Sequence, residues 1–135
     1  MTLSILGRCP ETGMLGGAVT SSSICVASRC LFTRSRVGAA LTQNITDPEL
    51  GLRMLDILEK GENAIGTSAA KNVVSQIVAE TNYIEWRQLV LMDSSGNSAI
   101  HTGAKALGRH ASAQGKQCAA AANLLAHEQV PQTMV

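Results

Sequence analysis

The stretch Met1-Thr-Leu-Ser-Ile-Leu-Gly-Arg-Cys-Pro-Glu-Thr-Gly-Met-Leu-Gly-Gly-Ala-Val-Thr20 reads as a β-hairpin that begins almost at the first residue. Thr2 to Arg8 alternates polar and apolar, with Leu3 and Ile5 facing one way, which is the period-2 signature of a strand. Cys9-Pro-Glu-Thr-Gly13 is a turn signal, because Pro10 fixes one dihedral and Gly13 tolerates a positive one. Leu15 to Thr20 then returns as the second strand. Thr2 is thereby expected at the start of an ordered strand, not in a loose tail.

Working outward, Ser21-Ser-Ser23 breaks the pattern and reads as a loop, and a weakly patterned run follows through Cys30. Val37 to Gln43 is a third, mostly buried strand. Asp47-Pro48 opens a helix: Asp47 can cap free backbone N–H groups, and Pro48 suits the first helical position. Leu50, Met54, Leu55 and Leu58 recur at helical spacing, and Gly61 is placed to end the element. Asn63 is the expected cap of a second helix running to Glu80, with an apolar stripe of Ala70, Val73, Val74, Ile77 and Val78. Arg87–Asp93 and Ser98–Thr102 form another strand pair around a Ser94–Asn97 turn. Gly115 to Leu125 is alanine-rich and equally readable as strand or helix, and His127 to Val135 reads as the first turns of a helix. Strands, two helices, then strands again make an α+β fold, expected as a single domain over residues 1–135.

Composition narrows the function classes. The formal net charge is +1, from 11 basic and 10 acidic residues, so no broad basic surface for nucleic acid is expected. The local cluster Arg29, Arg34 and Arg36 has no aromatic stacking platform and reads as solvated or ligand-facing. No stretch approaches the roughly 20 apolar residues of a membrane span. The first residues hold too short an apolar run for a secretory leader, so a cytoplasmic setting with reduced thiols at Cys9, Cys25, Cys30 and Cys118 is expected. Three scattered histidines and a Cys25 to Cys30 spacing unlike a zinc knuckle give no metal site.

Several segments, in their order along the chain, carry a family resemblance. They are Met1 to Gly13, Gly17-Ala-Val-Thr-Ser-Ser22, Val37-Gly-Ala-Ala-Leu-Thr-Gln-Asn44, the Asp47-Pro48 helix entry, Arg87 to Asp93, Thr102-Gly103 and Asn123-Leu-Leu-Ala126. Together they resemble domain-of-unknown-function family 1028, an Ntn-hydrolase family. The resemblance implies a four-layer αββα sandwich of two antiparallel sheets, and amide hydrolysis without a cofactor. The family pattern continues past the position of Val135, so the expected sandwich is incomplete at the C-terminal end.

An N-terminal-nucleophile enzyme uses one residue twice: its hydroxyl attacks a carbonyl while its own α-amine takes the proton. Thr2 alone is an ordinary β-branched strand residue; with the resemblance it becomes the nucleophile and base, exposed by removal of Met1. Asn123, an isolated amide among alanines, and Asn44, at the end of a buried strand, are candidates to stabilise the oxyanion. Buried structural amide and ordinary turn residue are their respective alternatives. Ser21 and Ser22 are candidates to line the cleft, and Arg8 and Arg87 to hold a substrate acid group, against the simpler readings of loop and surface ion pair. The expected activity is hydrolysis of a small-molecule amide by a homo-oligomer. The alternative is a catalytically silent oligomeric or ligand-binding member of the same fold.

Overall fold

The computed structural model of the chain describes residues 1–61 and 69–135. Strands β1 (Thr2–Arg8) and β2 (Leu15–Ser21) pair antiparallel with Thr2 opposite Ser21, and Gly13 adopts the positive φ of 72° that the turn requires. The strand runs one residue further than the alternation indicates, taking Ser21 out of the expected loop. The weakly patterned run resolves into a short helix, α1 (Ala27–Cys30), and strand β3 (Leu31–Arg34), neither of which has a legible period. Strand β4 (Gly38–Asn44) leads into helix α2 (Pro48–Lys60). Asp47 caps α2 by accepting the Glu49 N–H at 3.2 Å, and Gly61 closes it in the left-handed region at φ 68°. Helix α3 (Ala69–Glu80) carries the expected stripe; the proposed cap Asn63 lies outside the described residues.

A single 3-10 turn at Ile84–Trp86 precedes β5 (Arg87–Asp93), which pairs with β6 (Ser98–Thr102). The ambiguous alanine-rich segment is a strand, β8 (Cys118–Asn123), paired with β7 (Ala111–Gly115), which the sequence did not announce. The final helix α4 (Val130–Met134) packs on β7 and β8.

These strands form two four-stranded antiparallel sheets, ordered β2-β1-β8-β7 and β3-β4-β5-β6, which face one another. Leu6, Ala119 and Ala121 of the first sheet meet Ala39, Leu41, Val90 and Met92 of the second. Helices α2 and α3 cover the far face of the second sheet, where Leu50, Met54, Val73 and Ile77 pack on Ala40, Leu89 and Leu91. With α4 on the first sheet, the order of layers is that of an αββα sandwich. Register puts Thr2, Ser4 and Leu6 on the face of β1 that looks between the sheets, and Leu3 and Ile5 on the opposite face. The alanines of β8 are buried on both faces, and this explains their strand state: small side chains let layers approach on either side, so packing overrides alanine's helix propensity.

Gly103 sits directly against the backbone of Glu85, and a Cβ there would lie far inside van der Waals contact. The Gly103 N–H donates to the Arg87 carbonyl at 2.9 Å, and the Lys105 N–H donates to the Glu85 carbonyl at 2.7 Å, so neither segment has room to withdraw. Gly103→Ala is expected to lower stability by about 1–3 kcal/mol through overpacking, read as a reduced midpoint in urea unfolding with an unchanged slope.

Candidate functional site

The inter-sheet space changes character along its length. Its middle is apolar, but at the end where β1 begins the facing residues are Thr2, Ser4, Gln43, Gln88, Thr102 and Asn123, all on the inward faces of their strands. Gln43, Gln88 and Asn123 are each at most 1% exposed, so their amides must find partners inside the protein. Gln88 is the hub. Its Nε2 donates to the Ala122 carbonyl at 3.3 Å and to Thr102 Oγ1 at 3.1 Å. Its Oε1 accepts from Gln43 Nε2 at 2.7 Å and from Asn123 Nδ2 at 3.2 Å. Gln43 Nε2 also donates to the Ala121 carbonyl at 3.2 Å. Backbone carbonyls only accept, so they fix which way both glutamine amides face. Gln43 Oε1 is left as a buried acceptor without a protein partner.

A cleft of about 460 Å³ opens over this polar end, lined by Thr2, Ser21, Ser22, Gln43, Asn44 and Asn123 among others. Thr2 lies between two cross-strand neighbours, Ser21 on β2 and Asn123 on β8. The Thr2 hydroxyl donates to Ser21 Oγ at 3.3 Å, and that oxygen also accepts the Ser23 N–H at 3.3 Å. Asn123 Nδ2 uses one hydrogen on Gln88 and keeps a second. Asn44, at a positive φ of 77°, accepts the Leu107 N–H on its Oδ1 at 3.0 Å, which leaves its Nδ2 as a buried donor with no partner. The cleft thus pairs a hydroxyl with side-chain N–H donors that are held in orientation.

The model of the family described as "Family of unknown function (DUF1028)" matches residues 2–135. This chain belongs to DUF1028. A crystal structure of a family member from Silicibacter pomeroyi superposes with a TM-score of 0.90 at 28% identity, covering 98% of this chain and 57% of that one. The chain therefore spans somewhat more than half the length of that relative. Among curated proteins none matches.

Four sequence-derived candidates besides Thr2 meet at the cleft of this DUF1028 chain: Ser21, Ser22, Asn44 and Asn123. The two arginines do not. Arg8 stands at the other end of β1, where Nε donates to the Ser94 carbonyl at 2.7 Å and Nη1 to Gln117 Oε1 at 2.8 Å. Arg87 is behind the cleft, donating to the Ile45 carbonyl and standing 3.8 Å from the capping residue Asp47. Its contacts are to the β4–α2 loop, and it is not among the residues lining the cleft. The basic cluster also separates: Arg34 is held by Asp56 at 2.8 Å and Glu59 at 2.7 Å, whereas Arg29 lines the cleft.

Cysteine chemistry does not converge here. Cys30 lines the cleft but is buried, with Sγ 3.6 Å from Thr46 Oγ1. The thiol whose acidity is raised is Cys9, in the distant hairpin turn. Its pKa is lowered first by the Thr12 side chain, then by the Thr12 and Glu11 backbone N–H groups. Sequence reasoning misses Gln88, and it reads Arg29 only as part of a solvated or ligand-facing basic cluster, not as part of the Thr2 cleft. A lone glutamine in a buried strand was the available signal for Gln88; nothing periodic surrounds Arg29.

Gln88→Leu removes the acceptor of Asn123 and is expected to destabilise the fold by about 1–3 kcal/mol, the cost of stranding a buried donor. The Asn123 side-chain amide resonance should shift in the same variant. An unchanged amide resonance and unchanged stability would refute the role given to Gln88.

Proposed function

We propose that this chain carries an N-terminal-nucleophile amidohydrolase site for a small amide, with Thr2 as nucleophile and, once Met1 is removed, as its own base. What supports the reading is the place of Thr2: first residue of β1, inward-facing, in a cleft between Ser21 and Asn123. While Thr2 nitrogen is joined to Met1 it is an amide nitrogen and cannot accept a proton. Freed, it is an α-amine with a pKa of about 7.7–8.0 and is substantially neutral near that pH.

The amine then takes the Thr2 hydroxyl proton as Oγ1 bonds to the substrate carbonyl carbon. Asn123 Nδ2 and Asn44 Nδ2 are the donors proposed for the resulting oxyanion. The ammonium returns its proton to the leaving nitrogen as the C–N bond breaks, leaving an ester on Thr2. Water, deprotonated by the same amine, cleaves that ester and restores the hydroxyl. Every step uses one proton and one amine, so no cofactor is invoked. On this reading the protein works in the cytoplasm, and as a homo-oligomer in which the half-buried Leu3 and Ile5 face gains cover.

A second reading is favoured by Met1, which itself lines the cleft. A chain that keeps Met1 blocks the amine and acts as a catalytically silent ligand-binding module.

Intact mass separates the two states. In protein lacking Met1, a screen of small amides should find hydrolysis that Thr2→Ala reduces by roughly 10⁴-fold or more. Its kcat/KM should fall as pH drops through the amine pKa, because the protonated amine cannot act as base. Asn123→Ala and Asn44→Ala should each lower kcat by about 10²–10³. Hydrolysis that survives Thr2→Ala, with a flat pH profile, would overturn the assignment.

A further inference from the structure

The cleft that holds Thr2 has a distinct charge and a distinct rim. Among the described residues lining it, Arg29 is the one charged side chain; no aspartate or glutamate is among them. Arg34, Arg53, Arg87, Lys105 and Arg109 all stand within 4.0 Å of a carboxylate. Arg29 has no such partner among the described residues. Arg8 and Arg36 also lack a carboxylate within 4.0 Å among the described residues, but of these arginines only Arg29 lines the cleft. Its recorded partners are neutral: Nη1 donates to the Ile24 carbonyl at 2.9 Å and the Cys25 carbonyl at 3.4 Å, and Nη2 donates to Ser23 Oγ. None of these engages Nε–H, so the Nε/Nη2 edge keeps donors for the two-point grip that guanidinium makes on a carboxylate.

Arg29 is also linked to the proposed nucleophile by a chain of hydrogen bonds through Ser23 and Ser21. Ser23 receives Nη2 on its hydroxyl and donates its N–H to Ser21 Oγ, the same oxygen that accepts the Thr2 hydroxyl. A cation held still by two carbonyls and a serine, on the wall of a cleft without side-chain anions, is set for a negatively charged ligand group.

The rim is apolar. Ile45, Leu107 and Leu124 line the cleft and are 43%, 40% and 50% exposed, and they remain once Met1 is removed. Three exposed large hydrophobic side chains thus surround one opening, which is the pattern of a recognition surface and not of single scattered residues. A volume of about 460 Å³ is of small-ligand size.

We propose that Arg29 binds a carboxylate of the ligand while the Ile45, Leu107 and Leu124 rim takes an apolar group, so that the cleft selects N-acyl amino acids and similar anionic amides with an apolar acyl chain. The proposal rests on the reading of the Thr2 cleft as a substrate site, and it replaces Arg8 and Arg87 with Arg29 as the specificity-determining cation. In hydrolysis the carboxylate would orient the amide, with its acyl carbonyl presented to Thr2.

The test is calorimetric titration of the 135-residue chain carrying Thr2→Ala, so that binding is read without turnover. The probes are N-octanoylglycine, its methyl ester, and N-acetylglycine. The acid should bind about ten- to a hundred-fold tighter than the ester, the scale of hydrogen bonds to a charged group. N-acetylglycine should bind more weakly than N-octanoylglycine, and Leu124→Ser should narrow that gap. Arg29→Gln should bring acid and ester to equal affinity. Equal binding of acid and ester to the Arg29 chain, or no binding of N-octanoylglycine at millimolar concentration, overturns the proposal; this comparison does not depend on the Arg29 variant folding. Hydrolysis is followed separately in the Thr2 protein. In protein shown by intact mass to lack Met1, binding with the predicted preference but no turnover would reject the Thr2 chemistry and leave the Arg29 assignment standing.

Discussion

The two sheets are joined at the Thr2 end by hydrogen bonds between side-chain amides and the backbone of β8. Gln43 and Gln88 reach from the second sheet to the carbonyls of Ala121 and Ala122, and Asn123 reaches back to Gln88. In the middle of the sandwich the sheets meet through aliphatic side chains, which attract without direction. Amides in a buried setting are different: each must be paired, and pairing fixes distance and orientation together. A shift of β8 relative to β5 by one residue would break all these contacts and turn Asn123 away from the inter-sheet face.

The same constraint determines what the cleft can be. Because β8 is held in register, Asn123 falls opposite Thr2, and because β2 pairs on the other side, Ser21 does too. The hydroxyl, the serine and the amide are thus delivered by three strands whose alignment is decided below them. The segment 22–26 with helix α1, and the end of β4 with Ile45, then form the walls. Arg87 and Asp47 steady the second wall, and Arg29 steadies the first through the carbonyls of Ile24 and Cys25. Polar floor, charged side chain and apolar rim arise from different elements that meet only in the folded chain.

The main elements and the α+β class were legible from local physics. Period-2 alternation marked β1 and β2, and a capped, terminated stripe marked α2, because each pattern is contained in a single element. The resemblance to the DUF1028 family is carried by several such segments in order, and the fold brings Thr2, Ser21, Ser22, Asn44 and Asn123 from separate segments into one cleft. Elements without local patterning were not legible: α1 and β3 lack a period, β7 is short, and β8 is alanine-rich.

What the sequence by itself determined is the set of strands and helices whose burial pattern repeats at a fixed spacing, together with the position of Thr2 at the head of a strand. Only the tertiary structure decided that the alanine tract is a strand, since its state depends on layers packed against both faces. It alone decided that Arg8 lies at the far end of the sandwich and Arg29 in the cleft. An arginine's role is set by which carboxylates and carbonyls surround its guanidinium, and those come from residues distant in the chain. Chain spacing specifies local conformation; it does not specify which loops meet across the end of two packed sheets.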